Sequence, residues 1–144
     1  MFFKKKAISK SDEARLIKAI QMAELQTSGE IRVHIEKQLK GDVIESVKKK
    51  FTDLNMHQTK DRNGILFYLA IDSKAFAVWG DEGIHQKVND EFWKSISDCS
   101  ISYFKNNDFI SGLEKSIEMC GDKLKKHFPL AIDDKNELSN EISY

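Results

Sequence analysis

The sequence contains little proline and no excess of charge of either sign. One proline and seven glycines among 144 residues leave few forced breaks in regular structure. Lysine plus arginine equals aspartate plus glutamate at 23 each, so the chain has no strong net field to attract nucleic acid phosphates. We therefore expect no nucleic acid among its partners.

Long apolar runs and cysteine clusters are also missing. No segment has the length and apolarity of a membrane span, and the first residues lack the apolar run of a secretory signal. Cys99 and Cys120 do not have the paired spacing of a zinc site or redox motif, so we expect both thiols to be reduced. These absences predict a cytoplasmic monomer without a transmembrane segment.

What the sequence does contain is the apolar pattern of one α/β domain over residues 1–129. Helical spacing predicts four helices, near residues 11–26, 42–54, 89–103 and 108–124. Strict alternation over residues 30–36 and a continuous apolar run over 65–71 predict two strands, and residues 75–79 return as the second arm of a β-hairpin. We expect a three-layer α/β/α sandwich: a short mixed sheet containing that hairpin, flanked by about four helices.

Residues 130–144 form a polar and acidic C-terminal tail beyond Pro129. Such a segment is either mobile or docked through its two apolar residues, Leu138 and Ile142. Because the helical pattern ends before Pro129, we expect the tail to contribute little buried area and its removal to leave the fold intact. Its acidic residues are Asp133, Asp134, Glu137 and Glu141.

Three motifs in series resemble the TPM domain family. They are TSGEIRVHI from Thr27 to Ile35, DRNGILFYLA from Asp61 to Ala70, and AFAVWGDEG from Ala75 to Gly83. In that family a T-G turn leads into the first strand, a D-N-G turn leads into the apolar central strand, and a glycine-containing loop leaves the next strand. Arg62 is an insertion into the D-N-G turn. The resemblance extends over roughly residues 8 to 128 and is to the short, soluble bacterial branch.

The resemblance implies a mixed sheet between helices, with carboxylates near one sheet end that hold calcium or magnesium. A weak acid phosphatase activity is associated with the plant thylakoid branch, whereas an animal branch modulates a receptor. One fold therefore carries an enzyme-like role and a modulatory role, and the fold does not choose between them.

Four carboxylates after the third strand are the first candidate metal ligands. Asp81 and Glu82 lie between two glycines, where a sharp turn can bring oxygen atoms around one ion. Asp90 and Glu91 begin the next helix, and Asp90 stands where the family has an aspartate, although His85 stands where the family usually has glutamate. The alternative is a solvated turn for the first pair and favourable charge at a helix N-terminus for the second.

Glu30 is a fifth candidate, on the polar face of the first strand with Arg32, His34 and Glu36. His34 could join a carboxylate at a zinc site, but the sequence has no paired ligand spacing. We expect this polar face to be hydrogen-bonded to itself or to a covering helix.

No covalent nucleophile for phosphoryl transfer is recognisable. Cys120 lacks the arginine of a cysteine phosphatase, and the chain has no P-loop, so hydrolysis would need a metal-activated water. The sequence therefore predicts a TPM domain protein that binds calcium or magnesium, and leaves open whether it is a weak metal-dependent phosphatase. The alternative is a non-catalytic module that binds a membrane protein or other protein partner, with the ion only holding its loops.

Overall fold

The computed structural model describes residues 7–130 and 136–144. Within these residues the chain forms a three-layer α/β/α domain, as predicted. Its elements, in chain order, are α1 (Lys10–Glu24), β1 (Glu30–Glu36), α2 (Val43–Asp53), a 3₁₀ turn (Met56–Gln58), β2 (Gly64–Ala70), β3 (Ala75–Gly80), α3 (Glu82–His85), α4 (Asp90–Phe104) and α5 (Phe109–Leu124). The short helix α3, which follows β3 directly, was not predicted. None of the helices in the described ranges has both the length and the apolarity needed to cross a bilayer.

Side-chain caps start the four long helices where the sequence suggests. The Ser9 hydroxyl accepts a hydrogen bond from the backbone N–H of Asp12, and the Asp42 side chain accepts one from the backbone N–H of Ile44. Asn89 and Asp108 begin α4 and α5 in the same way. Each cap satisfies a backbone donor that has no partner inside its helix, which fixes where the helix begins.

The sheet has the order β1-β2-β3. β1 and β2 are parallel, with Glu30 opposite Gly64, and β2 and β3 form the antiparallel hairpin, with Ala70 opposite Ala75. The loops before β1 and β2 and the loop after β3 therefore meet at one end of the sheet. We call residues 27–29, 61–63 and 81–83 the loop end.

Helices cover both faces of the sheet. α1, α4 and α5 bury one face, to which β2 contributes Ile65, Phe67 and Leu69. α2 covers the other face, which includes Leu66 and Tyr68 of the same strand. The continuous apolar run of β2 is buried throughout, as expected for a central strand. Both cysteines are free thiols.

The C-terminal segment docks against the outer edge of β1. The backbone N–H of Ser143 donates to the Val33 carbonyl, and the Ser143 carbonyl accepts from Ile35, both at 2.9 Å. Ile142 is 7% exposed and belongs to the main core, and Leu138 packs half-buried against the core under α2. The expectation that the tail contributes little buried area is therefore wrong for residues 136–144. Asp133 and Asp134 lie outside the described residues.

Replacing Ile142 by alanine should destabilise the domain, because the core loses a buried side chain next to the β1 edge. We expect Ile142→Ala to cost about 2 to 4 kcal/mol, which corresponds to a melting temperature lower by roughly 5 to 10 °C. Ile101, which is 45% exposed on α4, supplies the matched control. Thermal melts that show equal shifts for Ile142→Ala and Ile101→Ala would contradict the docked arrangement.

Candidate functional site at the loop end of the sheet

Hydrogen bonds join the three motif loops to one another and to the end of α5. The Ser28 N–H donates to the Phe128 carbonyl at 2.9 Å, and the Thr27 hydroxyl donates to the same oxygen. The Asn63 side-chain amide donates to the Ser28 carbonyl at 3.1 Å. Since β1 and β2 are neighbours, these bonds hold the loop before β1 against the loop before β2.

Gly83 allows the loop after β3 to approach the loop before β2. Its N–H donates to the Arg62 carbonyl at 2.9 Å. A Cβ atom at position 83 would lie only 2.2 Å from the carbonyl oxygen of Asp61. No larger residue fits there without moving backbone, so the glycine predicted to permit a sharp turn also permits this contact.

Arg62 binds both predicted ligands in the loop after β3. Its Nε and Nη2 atoms donate to the two carboxylate oxygens of Asp81 at 2.7 and 2.8 Å, and Nη1 donates to Glu82 at 3.2 Å. Asp81 is 5% exposed and also accepts the N–H of Glu82 as the cap of α3. The hydrogen bonds to Asp81 raise the pKa of the Arg62 guanidinium above its usual value.

The other predicted ligands do not join this pair. Asp90 and Glu91 lie in the first turn of α4, and Glu30 accepts the backbone N–H of Glu137 at 2.7 Å. Across residues 7–130 and 136–144, no three histidine, cysteine, aspartate or glutamate side chains are grouped so that they could hold a metal ion. As arranged, these side chains do not fit a calcium or magnesium ion, and the metal assignment stays a prediction.

His85 packs between two tryptophans. Its ring centroid lies 5.6 Å from that of Trp79 and 5.1 Å from that of Trp93. Trp93 also closes over Gly80, where a Cβ would lie 2.3 Å from a ring carbon. The imidazole therefore helps to pack α3 against β3 and α4.

The polar face of β1 is hydrogen-bonded to itself and to the C-terminal segment. His34 is fully buried, with Nε2 2.7 Å from a Glu36 oxygen and Nδ1 2.8 Å from the Ser143 hydroxyl. The Tyr68 hydroxyl donates to the other Glu36 oxygen at 2.7 Å. The network explains these residues without zinc: the face is hydrogen-bonded to itself, as expected, and also to the C-terminal segment, which was not expected.

Glu24 and Glu30 form a carboxyl pair that sequence reasoning missed. Glu24 accepts the N–H of Ile31 at 3.0 Å, while Glu30 is held by the C-terminal segment. Burial, together with the charge of Glu30, raises the pKa of Glu24 to about 8, and burial also raises the pKa of Glu30. Burial therefore favours a state of this pair in which at least one carboxyl group keeps its proton. The one feature of the sequence that could have indicated this pair is the short separation of Glu24 and Glu30 on either side of the turn at residues 27–29.

A groove runs from the loop end along α3, the start of α4 and the end of α5. One cavity of about 400 Å³ is lined by Ser28, Asp61 and Gly83 of the loop end. A second cavity, of about 710 Å³, shares Lys87 and His127 with the first. The charged residues that line the second cavity are Lys87, Glu91, Asp122, Lys123, Lys125 and Lys126. We call these two joined cavities the basic groove.

Together these features define a small three-layer α/β domain in which three motif loops meet at one end of a short mixed sheet. The TPM domain pattern matches residues 2–123, and the chain belongs to the TPM domain family.

Solved structures agree with this assignment. The NMR structure of the BA42 protein from the psychrophilic bacterium Bizionia argentinensis is 40% identical, covers 99% of each chain and superposes with a TM-score of 0.91. The N-terminal domain of the cg2496 protein from Corynebacterium glutamicum is 15% identical, with 82% of this chain and 74% of that chain covered and a TM-score of 0.66, and it shows the fold alone. No curated protein matches this chain.

The carboxyl pair predicts that stability falls as the pH rises. Folding raises the pKa of Glu24 from 4.5 to about 8, so the stabilisation is complete below pH 4.5 and is lost as the pH rises through about 8. Glu24→Gln removes this titration and keeps an oxygen acceptor for Ile31. Its melting temperature relative to wild type should therefore increase from about pH 5 to about pH 9.

Glu118, whose side chain is 63% exposed on α5, supplies the control for this experiment. Glu118→Gln should follow the wild-type melting temperature with a constant offset over the same pH range. If the melting temperatures of Glu24→Gln and wild type changed in parallel with pH, the raised pKa of Glu24 would be contradicted.

Proposed function

We propose that this TPM domain protein is a non-catalytic binding module that recognises an acidic segment of a protein partner in the basic groove. The observation that carries this proposal is a local charge excess. Four lysines and two carboxylates line the larger cavity, whereas the whole chain has equal numbers of basic and acidic residues. A concave surface with this sign of charge attracts carboxylate side chains.

Two of the four lysines in the groove are available to meet a ligand. Lys125 lies 3.9 Å from Asp122, and the Lys87 ammonium donates to the His127 carbonyl at 3.1 Å. Lys123 and Lys126 make no ion pair with any other described residue.

Apolar groups in the groove favour a peptide over a small inorganic anion. Phe92 and Met119 line the larger cavity, and Phe128 and Pro129 line the smaller one. A peptide that alternates acidic and apolar side chains could use both the lysines and these surfaces. The groove thus supports the protein-partner alternative more directly than phosphate chemistry.

The metal-dependent phosphatase hypothesis has less support from the geometry. A metal-activated water needs carboxylates that face one ion, but Asp81 and Glu82 face the Arg62 guanidinium. Cys120 is fully buried, and this burial raises the pKa of its thiol, so it is not poised as a nucleophile. Calcium or magnesium binding and phosphatase activity stay predictions.

The cellular setting is also a proposal. We propose that the protein works in the cytoplasm, which is consistent with two free cysteines, and that it is a monomer.

Reversing two groove charges should abolish binding of an acidic peptide. We expect a fluorescein-labelled peptide of alternating glutamate and leucine to bind the wild type, measured by fluorescence polarisation at low salt. In the variant Lys123→Glu, Lys126→Glu the affinity should fall by at least about tenfold, because like charges now meet in the groove. High salt should weaken wild-type binding in the same direction.

The control for net charge is the double variant Lys18→Glu, Lys40→Glu, whose lysines are exposed and lie outside the groove. It should keep wild-type affinity. Equal losses in the two double variants, or no peptide binding by the wild type, would refute the groove as the recognition site.

Phosphatase activity supplies the competing test. With an aryl phosphate substrate, turnover by the wild type should equal the buffer blank in calcium, in magnesium and in EDTA. Turnover that needs the cation and disappears with chelator would contradict the binding-module proposal and restore the metal-water hypothesis.

A further inference from the structure

The loop after β3 has two adjacent carboxylates, and one of them is almost completely removed from water. Asp81 is 5% exposed, whereas Glu82 remains on the surface. A buried carboxylate needs a compensating positive charge or several hydrogen-bond donors, because its loss of hydration is otherwise large. The group that supplies this positive charge to Asp81 also fixes the position of the loop after β3.

Arg62 supplies it from inside the chain. Its planar guanidinium matches the Asp81 carboxylate with two parallel hydrogen bonds, and its third nitrogen reaches Glu82. This fork-to-carboxylate geometry is specific to arginine and fixes orientation as well as charge. Arg62 therefore binds both carboxylates that the sequence offered to a divalent cation.

The same residue joins the two loops through its backbone. The Arg62 carbonyl accepts the N–H of Gly83 at 2.9 Å, so side chain and main chain act on the same neighbouring loop. Arg62 has a φ of 50°, in the left-handed region that side-chain-bearing residues seldom adopt. Arg62 thus adopts an uncommon backbone conformation at the point where the two loops meet.

We propose that the Arg62 guanidinium is an internal substitute for a divalent cation, so that Asp81 and Glu82 bind calcium only when this guanidinium is removed. The loops are then held without any external ion. The proposal does not depend on what the basic groove binds.

Calcium is the cation expected once Arg62 is gone. It accepts carboxylate oxygens in flexible geometry and completes its shell with water, whereas magnesium demands near-ideal octahedral geometry. Three carboxylate oxygens that accept hydrogen bonds from Arg62 become available in the variant. Magnesium should therefore bind the variant more weakly than calcium.

The test is a calcium titration of wild type, Arg62→Ala and Arg62→Gln, followed by calorimetry and by amide shifts in NMR spectra. Both variants should bind calcium at least about tenfold more tightly than wild type, with shifts centred on residues 80–84. Without calcium their melting temperatures should be lower than that of the wild type, because Asp81 is left buried and unpaired. Added calcium should raise the melting temperature of the variants and leave that of the wild type unchanged.

Arg15 provides a matched control, because it also pairs with two carboxylates, Asp12 and Glu114, but on the exposed surface of α1 and α5. Arg15→Ala changes the net charge equally and should gain no calcium affinity. Equal affinity in the wild type and the Arg62 variants, or an equal gain in Arg15→Ala, would overturn the proposal. If Arg62→Ala does not fold, Arg62→Gln, which keeps an amide donor near Asp81, decides the question alone.

Discussion

The burial of β2 on both faces is the constraint on which the rest of the structure depends. All seven residues from Gly64 to Ala70 are buried, so this strand needs a partner strand on each side and helices above and below. β1 pairs with one edge of β2 in parallel, and β3 pairs with the other edge in antiparallel, through a tight hairpin. The two strand directions then bring the three motif loops to the same end of the sheet. The position of the candidate site follows from the packing of one strand.

At the loop end, one arginine offsets the charge of the two carboxylates that follow β3. Two adjacent carboxylates after β3 repel each other and are stabilised by a nearby positive charge, which either an ion or a side chain can supply. In this chain Arg62, in the turn before β2, supplies that positive charge. Carboxylates in a loop are therefore weak evidence for a metal until their partners are known.

The sequence predicted the parts of the fold that depend on local pattern and failed where distant residues meet. The apolar run of β2 and the caps Asp42 and Asn89 follow from residue spacing alone. The ion pair between Arg62 and Asp81 joins positions 19 apart, and its geometry depends on the pairing of β2 with β3. From the sequence, Arg62 was noted only as an insertion into the turn, and this ion pair was not predicted. The basic groove could not be predicted for the same reason: it brings together residues far apart in the sequence, such as Lys87 and His127, which are 40 positions apart.

The sequence left open whether the C-terminal segment docks through Leu138 and Ile142, because no periodic pattern marks it, yet the sheet requires something in its place. The outer edge of β1 presents backbone groups that would otherwise be open to pairing with another chain. Glu24 accepts from Ile31, and Ser143 bonds to Val33 and Ile35, so a carboxylate and one extended residue cover this edge. The same segment binds Glu30, the neighbour of Glu24. The backbone donors of this segment favour a charged Glu30, whereas burial raises the pKa of Glu30 and favours the protonated acid, so edge protection and the electrostatics of the carboxyl pair meet in the same few residues.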